Sequence, residues 1–316
     1  MPAVTLHAPV EADTARVLIE RPAVATLLRF ADVYPAREAD LLQRQAHWLH
    51  QPTPLAVAPL TAAMDLGEGF DPDAFWLRLD PVHLVPDRDT LVLFTAEEAG
   101  IEPTEARALV DAFNAHFAVE GVQLQHGAAD RWYLSLPQPV DIETVPLHAA
   151  RHANLHHVQP RGHSVSQWNR LINEAQMLFF QHPVNERRRE AGLPEINGLW
   201  LWGEGGWPDG LCPRPELTVV SHDPFVQAVA RAIEAEIRPL EALPAQLPEA
   251  LYVDLSDVDP GQWVEAWLAP AIQRVRGGEI DSLLVDLGGA QAWHLTPAAM
   301  KKFWRRWRRP RLPEPT

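Results

Sequence analysis

Apolar positions in the first third of the chain recur at helical spacing. Residues 11–31 place Val17, Leu18, Val24, Leu27 and Leu28 toward one face, with a break at Pro22. Residues 37–50 predict a second helix, and 55–66 a third interrupted by Pro59. The rhythm then shortens to two. Residues 75–79 predict a strand ended by Asp80-Pro81, and 90–94 another behind the turn signal at 86–89. A helix is predicted over about 103–118, with Pro103 in its first turn. Residues 122–125 and 131–136 predict a hairpin. Arg131, Tyr133 and Ser135 alternate with Trp132, Leu134 and Leu136, the pattern of a sheet with one covered face.

From Pro137 to His163 the chain is rich in proline and histidine and lacks periodicity. This predicts a connection over 141–163 between an α+β region (1–140) and an α/β region (164–316). Ser164 and Gln167 suggest a capping box for a helix carrying Trp168, Leu171, Ile172, Ala175, Leu178 and Phe179, stopped by Pro183. A short basic helix follows over 185–191, closed by Gly192 and Pro194. Strands at 199–202, 217–220 and 251–255 alternate with a helix from Asp223-Pro224 to about 237 and another over 260–276, kinked at Pro270. Residues 280–287 and 290–295 flank Gly288-Gly289, a hairpin signal, and Thr296-Pro297 opens a terminal helix. The expected fold is mixed α/β: a partly parallel sheet with flanking helices, three-layered in the C-terminal half.

Composition narrows the function classes. No apolar run is long enough for a membrane span, and the N-terminus lacks a secretory pattern. The single cysteine, Cys212, excludes an intramolecular disulfide, so the expected location is cytoplasmic. With 27 basic against 42 acidic residues the net charge is −15, which disfavours nucleic acid and acidic membranes as partners. The charge is uneven. Residues 301–316 hold Lys301, Lys302, Arg305, Arg306, Arg308, Arg309 and Arg311 against Glu314 alone, which leaves 20 basic against 41 acidic residues before them. This tail is expected to dock on the acidic body. With Phe303, Trp304 and Trp307 interleaved, an interaction arm is the alternative.

One segment stands out chemically. Asn197, Trp200, Trp202, Gly203, Glu204, Gly205, Gly206 and Pro208 lie where an apolar strand runs into glycines, and such strand ends hold ligands in α/β proteins. Glycine backbone amides can approach an anion closely, though no standard nucleotide-loop pattern is present. Glu174, His182 and Asn185 are secondary candidates; Glu174 is expected to face solvent, and His182 to suit the preceding helix's C-terminal dipole. His148, His152 and His156, with His157 and His163 nearby, have the spacing of one helix face but lie in a weakly helical stretch. Asp254, Asp257 and Asp259 follow a strand; Asp259 is explained as a helix cap, and Asp286 as a turn residue.

Residues 176–185, Leu193-Pro194, 197–203 and Trp207-Pro208, with 80–87, 131–134 and 303–306, resemble the bacterial regulatory proteins of the RpfE type. That family is similar to cofactor-independent phosphoglycerate mutase, of the alkaline phosphatase superfamily. The link is an Asn-x-x-Trp-x-Trp-Gly-x-Gly-x-x-Pro pattern, met here by Asn197, Trp200, Trp202, Gly203, Gly205 and Pro208. In those mutases the resemblance implies a substrate-binding segment, two divalent metals and a Ser or Thr nucleophile. Here no Asp-Gly follows a strand within the first 30 residues, and no Asp-His-Gly or Asp-His-Ser occurs late. The expectation is a regulatory or ligand-binding protein without cofactor or metal, leaning away from an enzyme. It takes a small anionic or phosphorylated ligand and a regulatory protein partner. The alternative is an active mutase or phosphatase using Mn²⁺ or Mg²⁺.

Overall fold

Val4 and Leu6 alternate with Thr5 and His7 at the start of the chain, and in a computed structural model they form a strand. The structure describes residues 2–10, 12–36, 40–87, 90–155 and 158–307. The strands are β1 (Ala3–His7), β2 (Asp32–Pro35), β3 (Phe75–Asp87), β4 (Thr90–Thr95), β5 (Leu124–Ala128), β6 (Arg131–Leu136), β7 (Gly198–Gly205), β8 (Leu217–Val220), β9 (Glu236–Arg238), β10 (Ala250–Asp254), β11 (Ser282–Asp286) and β12 (Gln291–Leu295). Two compact units result, Met1–Leu55 with Gly210–Thr316, and Ala56–Asp209. The stretch 141–163 falls inside the second.

The first unit is built on a seven-stranded sheet in the order β2-β12-β11-β1-β10-β8-β9. β1 pairs in parallel with β10 and β11, and β8 and β9 extend the parallel set. β12 returns antiparallel through the expected Gly288-Gly289 turn, and β2 pairs antiparallel with β12. One face buries Val4, Leu6, Val253, Leu283 and Val285 against Leu27 of the helix Pro22–Phe30 and against Trp263, Trp267 and Ile272. Ahead of Pro270 the expected kink takes the form of a π-helical turn, Val264–Leu268. The helix Leu41–Trp48 covers the opposite face, and Pro224–Ala232 packs against it. The fold is thus mixed α/β with three layers in this unit. Caps expected at Asp223, Asp259 and Thr296 are formed.

The second unit centres on β3, which does not end at Asp80-Pro81 as expected. One edge of β3 pairs β7; the other pairs β6 over 75–78 and β4 over 82–87. Pro81 sits in the gap between those two ladders, where a missing N–H removes no bond on that edge. Leu77, Leu79, Trp132, Leu134, Leu199 and Leu201 pack with Phe113 of Pro103–His116 and with Trp168 and Phe179 of Val165–Phe180. Trp76 and Tyr133 pack with Ala58 and Ala62 of the helix Val57–Leu66. The capping box expected at Ser164 is not formed. Ser164 is itself in the right-handed helical region (φ −83°, ψ −4°), and its hydroxyl caps no amide.

Candidate functional site

The segment 197–208 is brought together as strand β7 and its exit. Asn197 Oδ1 accepts from Leu84 N at 2.7 Å and its Nδ2 donates to Leu84 O at 2.9 Å. Trp200 Nε1 donates to Val145 O (2.9 Å), and Trp202 Nε1 to Asp80 Oδ2 (2.6 Å). The Arg78 guanidinium lies 4.6 Å from the centre of the Trp202 ring and pairs with Asp80 at 2.7 Å. Burial pushes Asp80 up to about 6 despite that partner. Glu204 accepts from the Thr144 amide and hydroxyl, and Thr144 Oγ1 also accepts from Gly203 N (3.2 Å). Gly205 crowds Ala56, whereas a side chain at Gly206 would meet nothing within 4 Å. Trp207 is partly exposed and packs on Phe70, ring centres 5.4 Å apart.

The secondary candidates divide. Glu174 lies on the surface, 2.7 Å from His116 Nε2. Asn185 is fully buried and braces backbone, donating to Phe179 O and Ile196 O and accepting from Ile196 N, each at 2.8 Å. His182 does not serve the preceding helix. It caps the N-terminus of Pro183–Glu190, its Nδ1 accepting from Val184 N at 3.2 Å. Burial, with Arg187 nearby, lowers its pKa, which keeps that nitrogen an acceptor. His148 and His152 do not share a helix: the turn Leu147–Ala150 ends between them and His152 has φ +58°. His156 and His157 lie outside the described residues, as do Arg308, Arg309 and Arg311. Arg305 is buried and bonds Phe30 O and the acidic Asp32, while Trp304 and Trp307 are exposed.

A second constellation escaped the sequence reading. At the carboxyl ends of the parallel strands His7 stands in register with both Asp254 and Asp286, and Ser221 follows β8 beside them. All four are buried. Asp286 is not a simple turn residue, because a full set of donors converges on it. They are His7 Nδ1 (3.2 Å), Arg44 (2.9 Å), Trp48 Nε1 (2.5 Å) and Gly288 N (2.9 Å). Burial pushes its carboxyl up, but His7, Arg44 and the Gly288 amide outweigh that and hold it below the ordinary range. Asp254 accepts from Gln45 Nε2 (3.3 Å), Ser221 Oγ (2.9 Å) and Ser256 Oγ (2.9 Å). Asp223 is pushed up to about 6, by burial first and by Asp254 second. His7 Nε2, Gln45 Oε1 and Tyr252 Oη are buried without a hydrogen-bond partner. The readable signal was an apolar run closed by one titratable residue, three times: Leu6-His7, Val253-Asp254 and Val285-Asp286.

The divalent metals implied by the mutase resemblance fit this donor set poorly. The oxygens of Asp286 and Asp254 already accept protein hydrogen bonds, and a guanidinium sits against one of them. Among the described residues no group of three or more His, Cys, Asp or Glu side chains is arranged to hold a metal ion. No helix of the described residues is long and apolar enough to cross a membrane.

A probable 2,3-bisphosphoglycerate-independent phosphoglycerate mutase of Geobacter sulfurreducens is 29% identical over 153 residues, 48% of this chain and 38% of the mutase. The 2,3-bisphosphoglycerate-independent phosphoglycerate mutase of Methanosarcina barkeri is 29% identical over 110 residues, 34% of this chain and 28% of that one. The chain is phosphoglycerate mutase-like. Its matches span less than two-fifths of the length of these relatives. Among solved structures, the PH0037 protein from Pyrococcus horikoshii shares the fold, with a TM-score of 0.54 at 14% identity, over 93% of this chain and 87% of that one. No protein-family model matches.

Proposed function

We propose that this phosphoglycerate mutase-like chain acts by binding, as a regulatory protein of the RpfE type, and has lost the metal centre of its relatives. The observation that carries this reading is the internal cation at the sheet end. The Arg44 guanidinium, 2.9 Å from Asp286 Oδ1, supplies positive charge to a carboxylate that a metal would otherwise need. The ligand is a small phosphorylated anion. Its contact is the exit of β7 at Gly206–Pro208, where the glycine leaves space and the Trp207 ring is accessible.

The experiment is calorimetric titration with 3-phosphoglycerate, comparing wild type with Gly206→Val. Gly205 is unsuitable as a test position, because a side chain there would collide with Ala56. Heat in the wild type that is lost in Gly206→Val supports the assignment, and equal heats remove it. Turnover of 3-phosphoglycerate with Mn²⁺ that EDTA abolishes would overturn the binding-only reading.

A further inference from the structure

Three buried polar atoms of the seven-stranded sheet and its covering helix have no hydrogen-bond partner: His7 Nε2, Gln45 Oε1 and Tyr252 Oη. Their residues are 0%, 0% and 1% exposed. Each such group costs about 1–3 kcal/mol when left unmet, so three in one place call for an occupant. They do share one place. His7 stands opposite Asp254 in parallel register, and Tyr252, two residues before Asp254, projects from the same face of β10. Gln45, on the helix Leu41–Trp48 that covers this face, donates through Nε2 to Asp254 Oδ2 at 3.3 Å. Burial first, then Asp254, Asp223 and Asp286, pushes the Tyr252 hydroxyl up, which puts Oη within electrostatic reach of all three carboxyl groups.

The chemistry of the three atoms selects what can sit there. An ionised carboxylate only accepts, so the Gln45 amide turns its nitrogen to Asp254 and keeps its oxygen as a free acceptor. Asp286, held as a carboxylate, accepts from His7 Nδ1, and the neutral ring then presents a lone pair at Nε2. The phenol oxygen accepts as well. The surroundings are negative. Asp254 is met by an amide, two hydroxyls and a backbone N–H, and Asp223 by the backbone N–H of Val226, all neutral donors. Arg44 sits against Asp286 instead. Three neutral acceptors in a negative field suit a small monovalent cation that carries hydrogens. A divalent ion requires a fuller set of oxygens, and those of Asp254 already accept hydrogen bonds. Potassium has the charge but no hydrogen to offer an imidazole lone pair.

We propose that His7, Gln45 and Tyr252 form a buried site for an ammonium ion, which donates to Nε2, Oε1 and Oη and is balanced by Asp254 and Asp223. The site uses none of the residues of the Gly206–Pro208 contact and does not depend on the function proposed above.

The test follows the melting temperature of the full chain at pH 7 in ammonium, potassium, sodium and manganese chlorides at matched ionic strength. A ligand held by the folded state raises that temperature with its concentration. Ammonium is expected to raise it above the potassium and sodium curves. ¹⁵N-ammonium is expected to give a bound proton signal distinct from the free ion. Tyr252→Phe deletes one acceptor and breaks no hydrogen bond of the protein, so it should melt cooperatively without ammonium. Its ammonium affinity should fall about tenfold or more, the loss of one charge-assisted bond. Equal responses to all four salts overturn the proposal, as does an unchanged ammonium response in Tyr252→Phe. A potassium response as large as that of ammonium would assign a bare metal ion, and a larger manganese response a divalent centre; either overturns it. Should Tyr252→Phe fail to fold, the four-salt comparison and the ¹⁵N signal in wild type decide by themselves.

Discussion

At Asp286 a buried carboxylate is balanced by one guanidinium, one imidazole, one indole N–H and one backbone amide. Removing the guanidinium strands the carboxylate, and breaking a buried pair in this way costs about 3–5 kcal/mol. Arg44→Met is therefore expected to lower stability by that amount in urea unfolding at pH 7, and the double variant Arg44→Met/Asp286→Asn to recover part of it, because the amide removes the stranded charge and keeps an oxygen for the remaining donors. A double variant no more stable than Arg44→Met would show that the pair is not what Arg44 supports. Asp223 titrates in the opposite sense to Asp286. Its folded-state pKa is raised from 3.8 to about 6, so the stability tied to its protonation is full below pH 3.8 and lost as pH rises through 6. Asn at this position keeps an oxygen to accept from Val226 N while deleting the titration. Stability curves of wild type and Asp223→Asn are expected to diverge between pH 4 and 6, the variant gaining up to about 3 kcal/mol relative to wild type. Parallel curves would mean that the carboxyl titrates normally.

Elements show the same economy in the glycine run of β7. Local pattern marks residues 199–202 as a strand and 203–206 as a possible ligand loop. The strand instead continues to Gly205, with Gly205 opposite Trp76. Gly203 has φ +74°, which favours glycine, and at Gly205 there is no room beside Ala56. Gly205→Ala is expected to cost about 1–3 kcal/mol by overpacking. Ala56→Gly should restore most of it, and Gly206→Ala should stay within about 0.5 kcal/mol of wild type. Thermal unfolding of the four proteins checks the set; a neutral Gly205→Ala would refute the packing argument. Elements set by neighbours in sequence were legible, including the β5–β6 and β11–β12 hairpins and the caps at Asp223 and Asp259. β1, β2 and β9 were not, being only three to five residues long. β1 exists because Ala3 pairs with Ala250 and Ser282, far along the chain. The His7 cluster was hidden for the same reason. His7 and Asp286 are 279 positions apart, and only parallel register puts them together.

For the whole molecule, the chain leaves its first unit after Leu55 and re-enters it at Gly210. Close to these two points Gln51 and Cys212 bond reciprocally. Gln51 Nε2 donates to Cys212 O at 3.1 Å, and Cys212 N donates to Gln51 Oε1 at 2.8 Å. Gln51 is held further by Leu49 O at 3.0 Å. The exit and return segments of the first unit are thereby fixed to each other by that unit's own residues, as expected where one folding unit is inserted into another. Each unit also has an apolar core of its own, one around Trp263, Trp267 and Trp293, the other around Phe113, Trp132 and Phe179. Residues 56–209 expressed alone are therefore expected to unfold in a single cooperative step. A chain joining residue 55 to 210 through a short glycine-serine loop should do the same, with the Arg44–Asp286 pair intact. In the joined chain Gln51→Ala should lower stability by about 0.5–1.5 kcal/mol, the net worth of the hydrogen bonds that amide makes to the backbone of Cys212 and Leu49. Circular dichroism and urea titration of the two pieces decide it. A molten, non-cooperative first piece would show that its sheet needs the insertion, and that the Gln51–Cys212 clasp does not hold the crossing by itself.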